Sequence, residues 1–335
     1  MNTNENQSLG VFQELNPNTL ITPVEKAMGV GLTNLCRPLN SYINRVYEVE
    51  GKDGTGMIVK FYRPGRWSTA ALQDEHDFLL ELNDEEIPVV APLPHVTRKT
   101  LGLLDRIHFA VFPKKGGRSY DEYTDDQWFE LGRLLGRTHL VGARHLPKDR
   151  ITMAPDRSTR QQVDYLLAGS FIPVDLAGQF QAIADALIAE ITPLFQQNEM
   201  IRIHGDCHFS NVIYRPGESF FLIDLDDMAV GPPVQDLWML LPGYLEDSVA
   251  EAEMFIEGYE TFRDFDRRTL RLIEPLRAMR YIHYIAWCAH QVAEDGLSRV
   301  APDFGSHAYW QKESNDLAEQ LERIRSGPQQ VGNFF

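Results

Sequence analysis

Apolar β-branched and aromatic residues are concentrated in two neighbouring stretches near the start of the chain, residues 46–50 and 57–62, which are therefore predicted to be strands. The Asp53-Gly54 pair between them is a strong signal for a hairpin turn, so we expect the two stretches to pair as antiparallel strands. Apolar residues then recur at helical spacing over 70–82, and a further strand is predicted at 107–112. The first third of the chain is therefore predicted to be a sheet with one helix.

The rest of the chain is predicted to be mainly helical. Thr124 and Gln127 form a capping box at the start of one helix. The amphipathic stretch 180–191 predicts another, which the proline two residues further on should end. Pro275 lies inside a third helical stretch, 267–292, and should break or kink it because proline has no backbone N–H.

The length of 335 residues suits one bilobal unit or two domains. Predicted strands dominate the first part of the chain and predicted helices the second. The predicted class is therefore α+β, with a smaller β-rich part at residues 1–113 and a larger, mainly helical part at residues 114–335.

Charge and cysteine content argue against several classes of protein. The net charge of −16 disfavours a surface for nucleic acid, because phosphate contacts need clustered lysine and arginine. Three cysteines, Cys36, Cys207 and Cys288, cannot all pair and lack metal-site spacing, which is typical of the reducing cytosol. The N-terminus lacks a signal peptide pattern, and no apolar run approaches the roughly 20 residues of a membrane span. We expect a cytoplasmic monomer with no membrane partner.

Two acidic side chains follow short apolar runs, so each carboxylate is expected where a strand ends and a loop begins. Residues 201–203 precede Asp206, and residues 220–223 precede Asp224. Loops on rigid strands are where catalytic groups are usually placed. Asn211 lies five positions after Asp206, so one tight loop can point both side chains into one cleft.

The chain is predicted to return from this loop as a strand at 212–214, and residues 215–218, Arg-Pro-Gly-Glu, should then reverse it. If the strands on either side of that turn pair as a hairpin, Asp224 lies beside the loop that carries Asp206 and Asn211. Three candidate oxygen ligands then share one site.

Phosphoryl transfer needs this kind of site, because oxygen ligands hold magnesium on the phosphates and a carboxylate orients the attacking hydroxyl and accepts its proton. We assign Asp206 to the hydroxyl, and Asn211 and Asp224 to magnesium, which takes few protein oxygens and completes its octahedron with phosphate and water. Asp226 shares strand parity with Asp224, so it remains open as a second ligand. Asp227 faces the other way and is expected to be structural.

The segments 204–211, His-Gly-Asp-Cys-His-Phe-Ser-Asn, and 223–227, Ile-Asp-Leu-Asp-Asp, resemble motifs of the aminoglycoside phosphotransferase, choline kinase and homoserine kinase superfamily. Within it, the chain most resembles the bacterial stress response kinase A family of serine/threonine protein kinases. The blocks that carry this narrower resemblance follow the same order along nearly the whole chain: residues 38–42, 44–47, 59–64, 235–241 and 273–280.

The resemblance implies a bilobal protein-kinase-like fold with a small β-rich N-lobe and a larger, mainly helical C-lobe. It implies ATP as the phosphate donor and Mg²⁺ as the cofactor. Asp206 would be the catalytic acceptor, and Asn211 and Asp224 would hold magnesium. It also favours serine or threonine in proteins as the acceptor, with the chain itself among the substrates.

The resemblance further implies an ATP site in the β-rich part. Ser41 would lie in the loop over the phosphates, Lys60 would contact the phosphates, and Glu75 would pair with Lys60. The strand at the end of this part runs through a proline into a flexible Lys-Lys-Gly-Gly-Arg joint. Backbone groups near Phe112 and Lys114 would read adenine there.

The chain differs from eukaryotic protein kinases in three places. Residues 40–46 contain no glycine, so the nucleotide loop is not G-x-G-x-x-G. Gly205 replaces the arginine of the H-R-D motif, and Gly-Pro-Pro at 231–233 closely follows the second acidic segment. Regulation by phosphorylation of an activation segment is therefore not expected.

Several other residues could have a functional role, but each also has an ordinary structural explanation. His139 is expected to be a packed, hydrogen-bonded residue, and Cys207 should resist becoming a thiolate because carboxylates surround it. Asp236 could cap a short helix or brace the catalytic loop, and the resemblance favours bracing. A dense basic and aromatic group could line the acceptor side or form one helix's core and rim: Arg277, Arg280, Tyr281, His283, Tyr284, Trp287 and His290.

Alternative functions can be compared on the same residues. A kinase of small alcohols or aminoglycosides needs the same catalytic groups as a protein kinase, so fold and motif do not separate the two. The alternation of His204, Asp206 and His208 suggests a metal-dependent hydrolase, but no further ligand has zinc-site spacing, and these histidines should instead hold the loop by hydrogen bonds. An ATP-binding protein without catalytic activity is not expected, because the set of catalytic residues is complete.

Overall fold

The computed structural model describes residues 12, 15–120 and 122–327. The chain divides into a first unit, Met1–Arg118 with Ile213–Asp226, and a second unit, Ser119–Val212 with Asp227–Phe335. The sequence-based division after residue 113 differs from this one in two ways: it lies five residues earlier, and it leaves 213–226 with the helical part.

The described residues form a mixed α+β fold. The helices are α1 (Pro17–Met28), α2 (Thr69–Asp84), α3 (Asp125–Gly142), α4 (Arg160–Ala168), α5 (Val174–Phe195), α6 (Val234–Trp238), α7 (Val249–Glu260), α8 (Ile273–Asp295) and α9 (His307–Ser326). The strands are β1 (Leu32–Leu39), β2 (Arg45–Gly51), β3 (Gly56–Phe61), β4 (Gly102–Leu104), β5 (Ile107–Pro113), β6 (Ile201–Ile203), β7 (Val212–Tyr214), β8 (Phe220–Leu222) and β9 (Ala229–Gly231).

The first unit contains a five-stranded antiparallel sheet in the order β1-β2-β3-β5-β4. The predicted strands at 46–50, 57–62 and 107–112 are confirmed as β2, β3 and β5, and the turn between the first two contains Gly54 at φ 84°. Edge strand β1 was not predicted, because most of its side chains are only partly buried or exposed and so show no strand alternation.

Helix α2 confirms the predicted helix at 70–82. Its N-cap Ser68 accepts a hydrogen bond from the Ala71 N–H, and its buried face is mostly apolar, with Phe78 and Leu82 fully buried. Glu75 lies on the same buried face. A carboxylate among apolar residues on one helix face needs a charged or hydrogen-bonding partner.

The predicted hairpin around residues 215–218 is also confirmed, since β7 and β8 form a two-stranded sheet. The Glu218 N–H donates to the Arg215 carbonyl across the turn at 3.0 Å. The segment 213–226 belongs to the first unit because its backbone bonds to that unit at both ends. Arg118 and Tyr214 exchange two backbone hydrogen bonds, and the Leu222 N–H donates to the Pro88 carbonyl at 3.0 Å.

The second unit is built on helices that approach very closely. A Cβ on Gly132 would lie 1.9 Å from the Phe255 carbonyl oxygen, and one on Gly258 would lie 2.0 Å from the Phe129 carbonyl oxygen, so α3 and α7 can pack only through glycine. The Thr124 capping box of α3 is confirmed. Strands β6 and β9 pair antiparallel in the same unit.

Two predicted proline effects differ in position from the structure. Helix α5 starts before residue 180 and continues through Pro193 to Phe195, so the prediction that this proline ends the helix was wrong by two residues. The predicted break near Pro275 is confirmed, but it lies before the proline, where a 3-10 turn at Arg267–Leu272 gives way to α8. Pro275 falls in the first turn of α8, where a backbone N–H has no acceptor within the helix.

Of the helices described, none is both long and apolar enough to span a membrane.

Candidate active site

The loop after β6 in the second unit begins with a glycine that no other residue can replace. Gly205 has φ 83°, and a Cβ there would lie 2.2 Å from the Asp227 carbonyl oxygen. Both the left-handed backbone and this contact exclude a side chain. This explains why glycine stands where protein kinases have the arginine of H-R-D.

The fully buried Asp236 supports this loop from α6. Its carboxylate accepts the backbone N–H groups of His204 at 2.8 Å and Gly205 at 2.9 Å. It also accepts a hydrogen bond from His139 Nε2 at 3.0 Å, while His139 Nδ1 lies 3.0 Å from the Tyr259 hydroxyl. The bracing role of Asp236 and the packed, hydrogen-bonded role of His139 are therefore confirmed.

We expect Asp236→Ala to lower the free energy of unfolding by about 3–5 kcal/mol, because it leaves two buried backbone donors and a buried imidazole without their acceptor. Urea denaturation followed by circular dichroism measures this loss. Asp164→Ala on α4 is the matched control, since the Asp164 side chain is 63% exposed. A loss at Asp236 no larger than that of the control would contradict the bracing role.

Asp206 follows the braced glycine and keeps 17% of its side chain exposed. Its Oδ1 lies 2.7 Å from Arg280 Nη2, and its Oδ2 lies 3.4 Å from His208 Nε2. Burial raises the pKa of Asp206, but the His208 hydrogen bond and the Arg280 charge outweigh it and hold the pKa well below its usual value. The side chain is thus a carboxylate at neutral pH, as a proton acceptor must be.

The same loop presents the Asn211 amide. Its Nδ2 donates to the Asp206 carbonyl oxygen at 2.9 Å, so the amide oxygen, the atom magnesium prefers, is at the opposite end of the group. His208 Nε2 lies 3.4 Å from Asn211 Nδ2, and the Asp206 N–H points to His204 Nδ1 at 3.4 Å. The two histidines hold the loop, as predicted from the sequence.

The thiol of Cys207 lies fully buried within this loop. Burial raises its pKa well above the usual value, and the charges of Asp236 and Asp206 raise it further. The prediction that Cys207 resists becoming a thiolate is confirmed. Among residues 12, 15–120 and 122–327, no group of three or more His, Cys, Asp or Glu side chains is arranged to hold a metal ion.

The first unit carries a second cluster of candidate functional residues, around Lys60 on β3. Lys60 Nζ lies 2.7 Å from Asp224 Oδ1, 3.4 Å from Asp226 Oδ1 and 4.0 Å from Glu75 Oε1. Burial lowers the pKa of Lys60, but the charges of Asp224, Asp226 and Glu75 outweigh it and hold the pKa well above its usual value. The predicted pairing of Lys60 with Glu75 is thus present, at the limit of ion-pair distance.

The two aspartates that contact Lys60 differ in exposure. The Asp224 side chain is 53% exposed, whereas that of Asp226 is 7% exposed. The expectation that they share strand parity was wrong: β8 ends at Leu222, Asp224 has φ 58°, and Leu225–Asp227 is a 3-10 turn. Asp224 can therefore reach a ligand in solvent, while Asp226 points into the unit.

Sequence reasoning missed the partners of Asp226. Arg66 Nη1 lies 3.1 Å from its Oδ2, and Asn44 Nδ2 donates to the same oxygen at 3.3 Å. Asn44 Oδ1 also accepts the Arg63 N–H at 3.0 Å, which fixes one end of the loop that contains Ser41. The available signal for these contacts was Asn44, a polar residue in the family-like block 44–47. The structure shows that Asn44 is buried.

A buried polar chain behind Lys60 was also missed. The Tyr62 ring lies 5.0 Å from Lys60 Nζ, and its hydroxyl lies 2.9 Å from His76 Nε2. His76 Nδ1 in turn lies 2.7 Å from Thr100 Oγ1. A histidine directly after Glu75 on the apolar face of α2 was the available signal for this chain.

The backbone near the end of β5, which is predicted to read adenine, forms hydrogen bonds within the sheet. The Lys114 N–H donates to the Gly56 carbonyl at 3.1 Å, and Phe112 pairs with Ile58 of β3. The Lys114 N–H therefore already has a backbone acceptor at the sheet edge. The Lys114 side chain pairs with Glu48 at 2.6 Å.

A buried lysine held by carboxylates in an antiparallel sheet, and an aspartate on a braced loop before an asparagine, are the components of a kinase-type phosphotransferase. The sequence profile of the family described as "Phosphotransferase enzyme family" matches residues 35–273. Solved structures with the same fold include an amicoumacin kinase complex, with TM-score 0.71 and 20% identity over 92% of this chain and 93% of that one. A microcompartment-associated aminopropanol kinase gives TM-score 0.67 and 17% identity over 92% and 97%.

Curated relatives identify a narrower group within the phosphotransferases. Stress response kinase A of Escherichia coli (strain K12) is 37% identical over 331 residues, which cover 98% of this chain and 100% of that protein. A relative from Salmonella typhimurium (strain LT2), named "Serine/threonine protein kinase RdoA", is 36% identical over 338 residues with the same coverage. The chain belongs to the phosphotransferase enzyme family and, within it, to the stress response kinase A proteins.

Proposed function

We propose that this chain is an ATP-dependent serine/threonine protein kinase of the stress-response type, which works in the cytoplasm and also phosphorylates itself. The observation that supports phosphoryl transfer is the Lys60 cluster, in which a buried ammonium lies 2.7 Å from the half-exposed carboxylate of Asp224. The protein acceptor is supported by the Salmonella relative that is named a serine/threonine protein kinase.

The proposed roles follow from the surroundings of each side chain. Lys60 is positively charged and held in place, so it binds the phosphates of ATP, with Glu75 behind it and Ser41 in the loop over the phosphates. Asp206 is a carboxylate with limited exposure, so it orients the acceptor hydroxyl and takes its proton as the oxygen attacks the γ-phosphorus. As the new bond forms, the bond between the γ-phosphorus and the β-phosphate oxygen breaks, and ADP leaves.

The oxygen donors fit Mg²⁺. Asp224 presents an exposed carboxylate, and the hydrogen bond from Asn211 Nδ2 to the Asp206 carbonyl fixes the direction of the Asn211 amide oxygen. We propose these two residues as the magnesium ligands, since Mg²⁺ takes one or two protein oxygens together with phosphate and water. The bound ion would supply positive charge that offsets the charge developing on the phosphates.

A small-molecule kinase is the second candidate. The structural neighbours are named as kinases of amicoumacin and aminopropanol and a spectinomycin phosphotransferase, the last with TM-score 0.63 and 15% identity over 92% of this chain and 98% of that one. Each of these names gives a small-molecule acceptor, and the catalytic groups described above would serve such an acceptor equally well.

Intact-mass and peptide mass spectrometry after incubation with Mg·ATP tests the proposal. We expect phosphate on serine or threonine of the wild-type protein and none on Asp206→Ala treated identically, because only the wild type has a proton acceptor at that position. Phosphate on both proteins would indicate contamination by another kinase. Its absence from both, with ATP consumed only when a small alcohol is added, would overturn the protein kinase in favour of the second candidate.

A further inference from the structure

The surroundings of Asp206 restrict where an acceptor hydroxyl can approach. A hydroxyl that gives its proton to Asp206 must lie about 2.6–3.2 Å from one carboxylate oxygen. Oδ1 is contacted by Arg280 Nη2 at 2.7 Å, and Oδ2 faces His208 Nε2 at 3.4 Å. A hydroxyl that reaches either oxygen therefore binds a carboxylate whose Oδ1 is in contact with the Arg280 guanidinium.

Arg280 differs from the arginine one helical turn before it. The Arg277 side chain is 16% exposed, and it packs 4.9 Å from the Trp238 ring and 4.8 Å from the Tyr244 ring. It also donates to the Gly243 carbonyl, which fits a structural role. The Arg280 side chain is 31% exposed, about twice as much, and its contact is with the proposed catalytic carboxylate.

A guanidinium carries five N–H donors in a planar fork, so the one contact with Asp206 leaves donors for a further ligand. This geometry suits a carboxylate or phosphate group, which can accept two parallel hydrogen bonds. It disfavours an ammonium or guanidinium at the same place, because two cations close together repel.

The helix that carries Arg280, α8, is anchored to α4. His283, three residues later on α8, accepts a hydrogen bond at Nδ1 from Gln162 Nε2 of α4 at 2.8 Å. Further along, His290 of α8 stacks on Tyr165 of α4 with ring centroids 4.1 Å apart. Arg280 therefore projects from an anchored helix, as a residue that selects between substrates must.

We propose that Arg280 is a specificity-determining residue, which selects acceptors with an anionic group next to the hydroxyl that is phosphorylated. The proposal rests on the proposed function, because it assumes that Asp206 takes the proton of the acceptor. The net charge of −16 gives the whole protein a field that attracts cations, so a preference for an anionic acceptor has to be created locally.

The test compares acceptors that carry opposite charges near the hydroxyl. The peptide pair has one serine flanked by aspartate or by lysine, and the small-molecule pair is glycerate and aminopropanol. We expect wild-type kcat/KM to be roughly 10- to 100-fold higher for the anionic member of any pair that is phosphorylated, as charge-assisted hydrogen bonds allow. Arg280→Gln should bring this ratio to about one, and Arg280→Lys should keep part of it.

Arg268→Gln is the matched control, since it removes the same charge from a side chain that is 86% exposed and pairs with Asp266. It should keep the wild-type ratio. A wild type without preference for the anionic member, or an Arg280→Gln variant that loses rate equally on both members, would overturn the role of Arg280. Transfer to glycerate but to neither peptide would support Arg280 and reject the protein kinase. Transfer to both peptides at equal rates would support the protein kinase and reject the role of Arg280.

Discussion

Replacing Asp206 with asparagine is expected to lower kcat for phosphoryl transfer by roughly 10²–10⁴-fold while the Kd for Mg·ATP stays within about threefold. The amide has the shape of the carboxylate and its oxygen can still face the Arg280 guanidinium, so the loop should keep its structure. It cannot take a proton from the acceptor hydroxyl at neutral pH. The groups that we assign to the phosphates, Lys60 and Asp224, are unchanged.

Single-turnover transfer to an acceptor peptide gives the rate, and calorimetric titration with Mg·ATP gives the affinity. Asp126→Asn is the matched control, because it makes the same chemical change at an exposed position in the first turn of α3. If Asp206→Asn weakened Mg·ATP binding as strongly as it slowed transfer, Asp206 would belong to the nucleotide site, and the assignment to the acceptor would be wrong.

The position of Asp206 and Asp224 after strands could be predicted because it depends on local signals. Apolar runs precede both residues, and the Arg-Pro-Gly-Glu turn joins the two strands between them. Each of these features acts over a few residues, where turn chemistry and side-chain alternation decide the structure. The bracing by Asp236 came only from the family resemblance, since nothing in its local sequence shows what it contacts.

The contacts of Asp226 could not be predicted, because they depend on backbone geometry and distant partners. Strand parity was extended through residues 223–227, but the chain leaves the strand after Leu222 and enters a left-handed residue and a 3-10 turn. Asn44 is 182 positions away from Asp226 in sequence, and nothing local indicates this bond. The return of 213–226 to the first unit was missed for the same reason.

Replacing Asp224 with alanine is expected to weaken Mg·ATP binding by roughly 10–100-fold or more and to leave the fold intact. The lost carboxylate is half-exposed, so its removal leaves no cavity in the core. Lys60 keeps Asp226 at 3.4 Å and Glu75 at 4.0 Å, so the buried ammonium remains compensated. The effect should therefore fall on the metal and the nucleotide.

The neighbouring variant Asp226→Asn should behave in the opposite way. Asp226 is buried and contacts Lys60, Arg66 and Asn44, so loss of its charge leaves the buried Lys60 and the partly buried Arg66 with less compensation and should lower the free energy of unfolding by about 2–4 kcal/mol. Thermal denaturation and calorimetric titration of ATP, each with and without Mg²⁺, separate the two variants. Normal Mg·ATP affinity in Asp224→Ala, together with a stable Asp226→Asn that no longer responds to Mg²⁺, would show that Asp226 is the magnesium ligand and Asp224 is not.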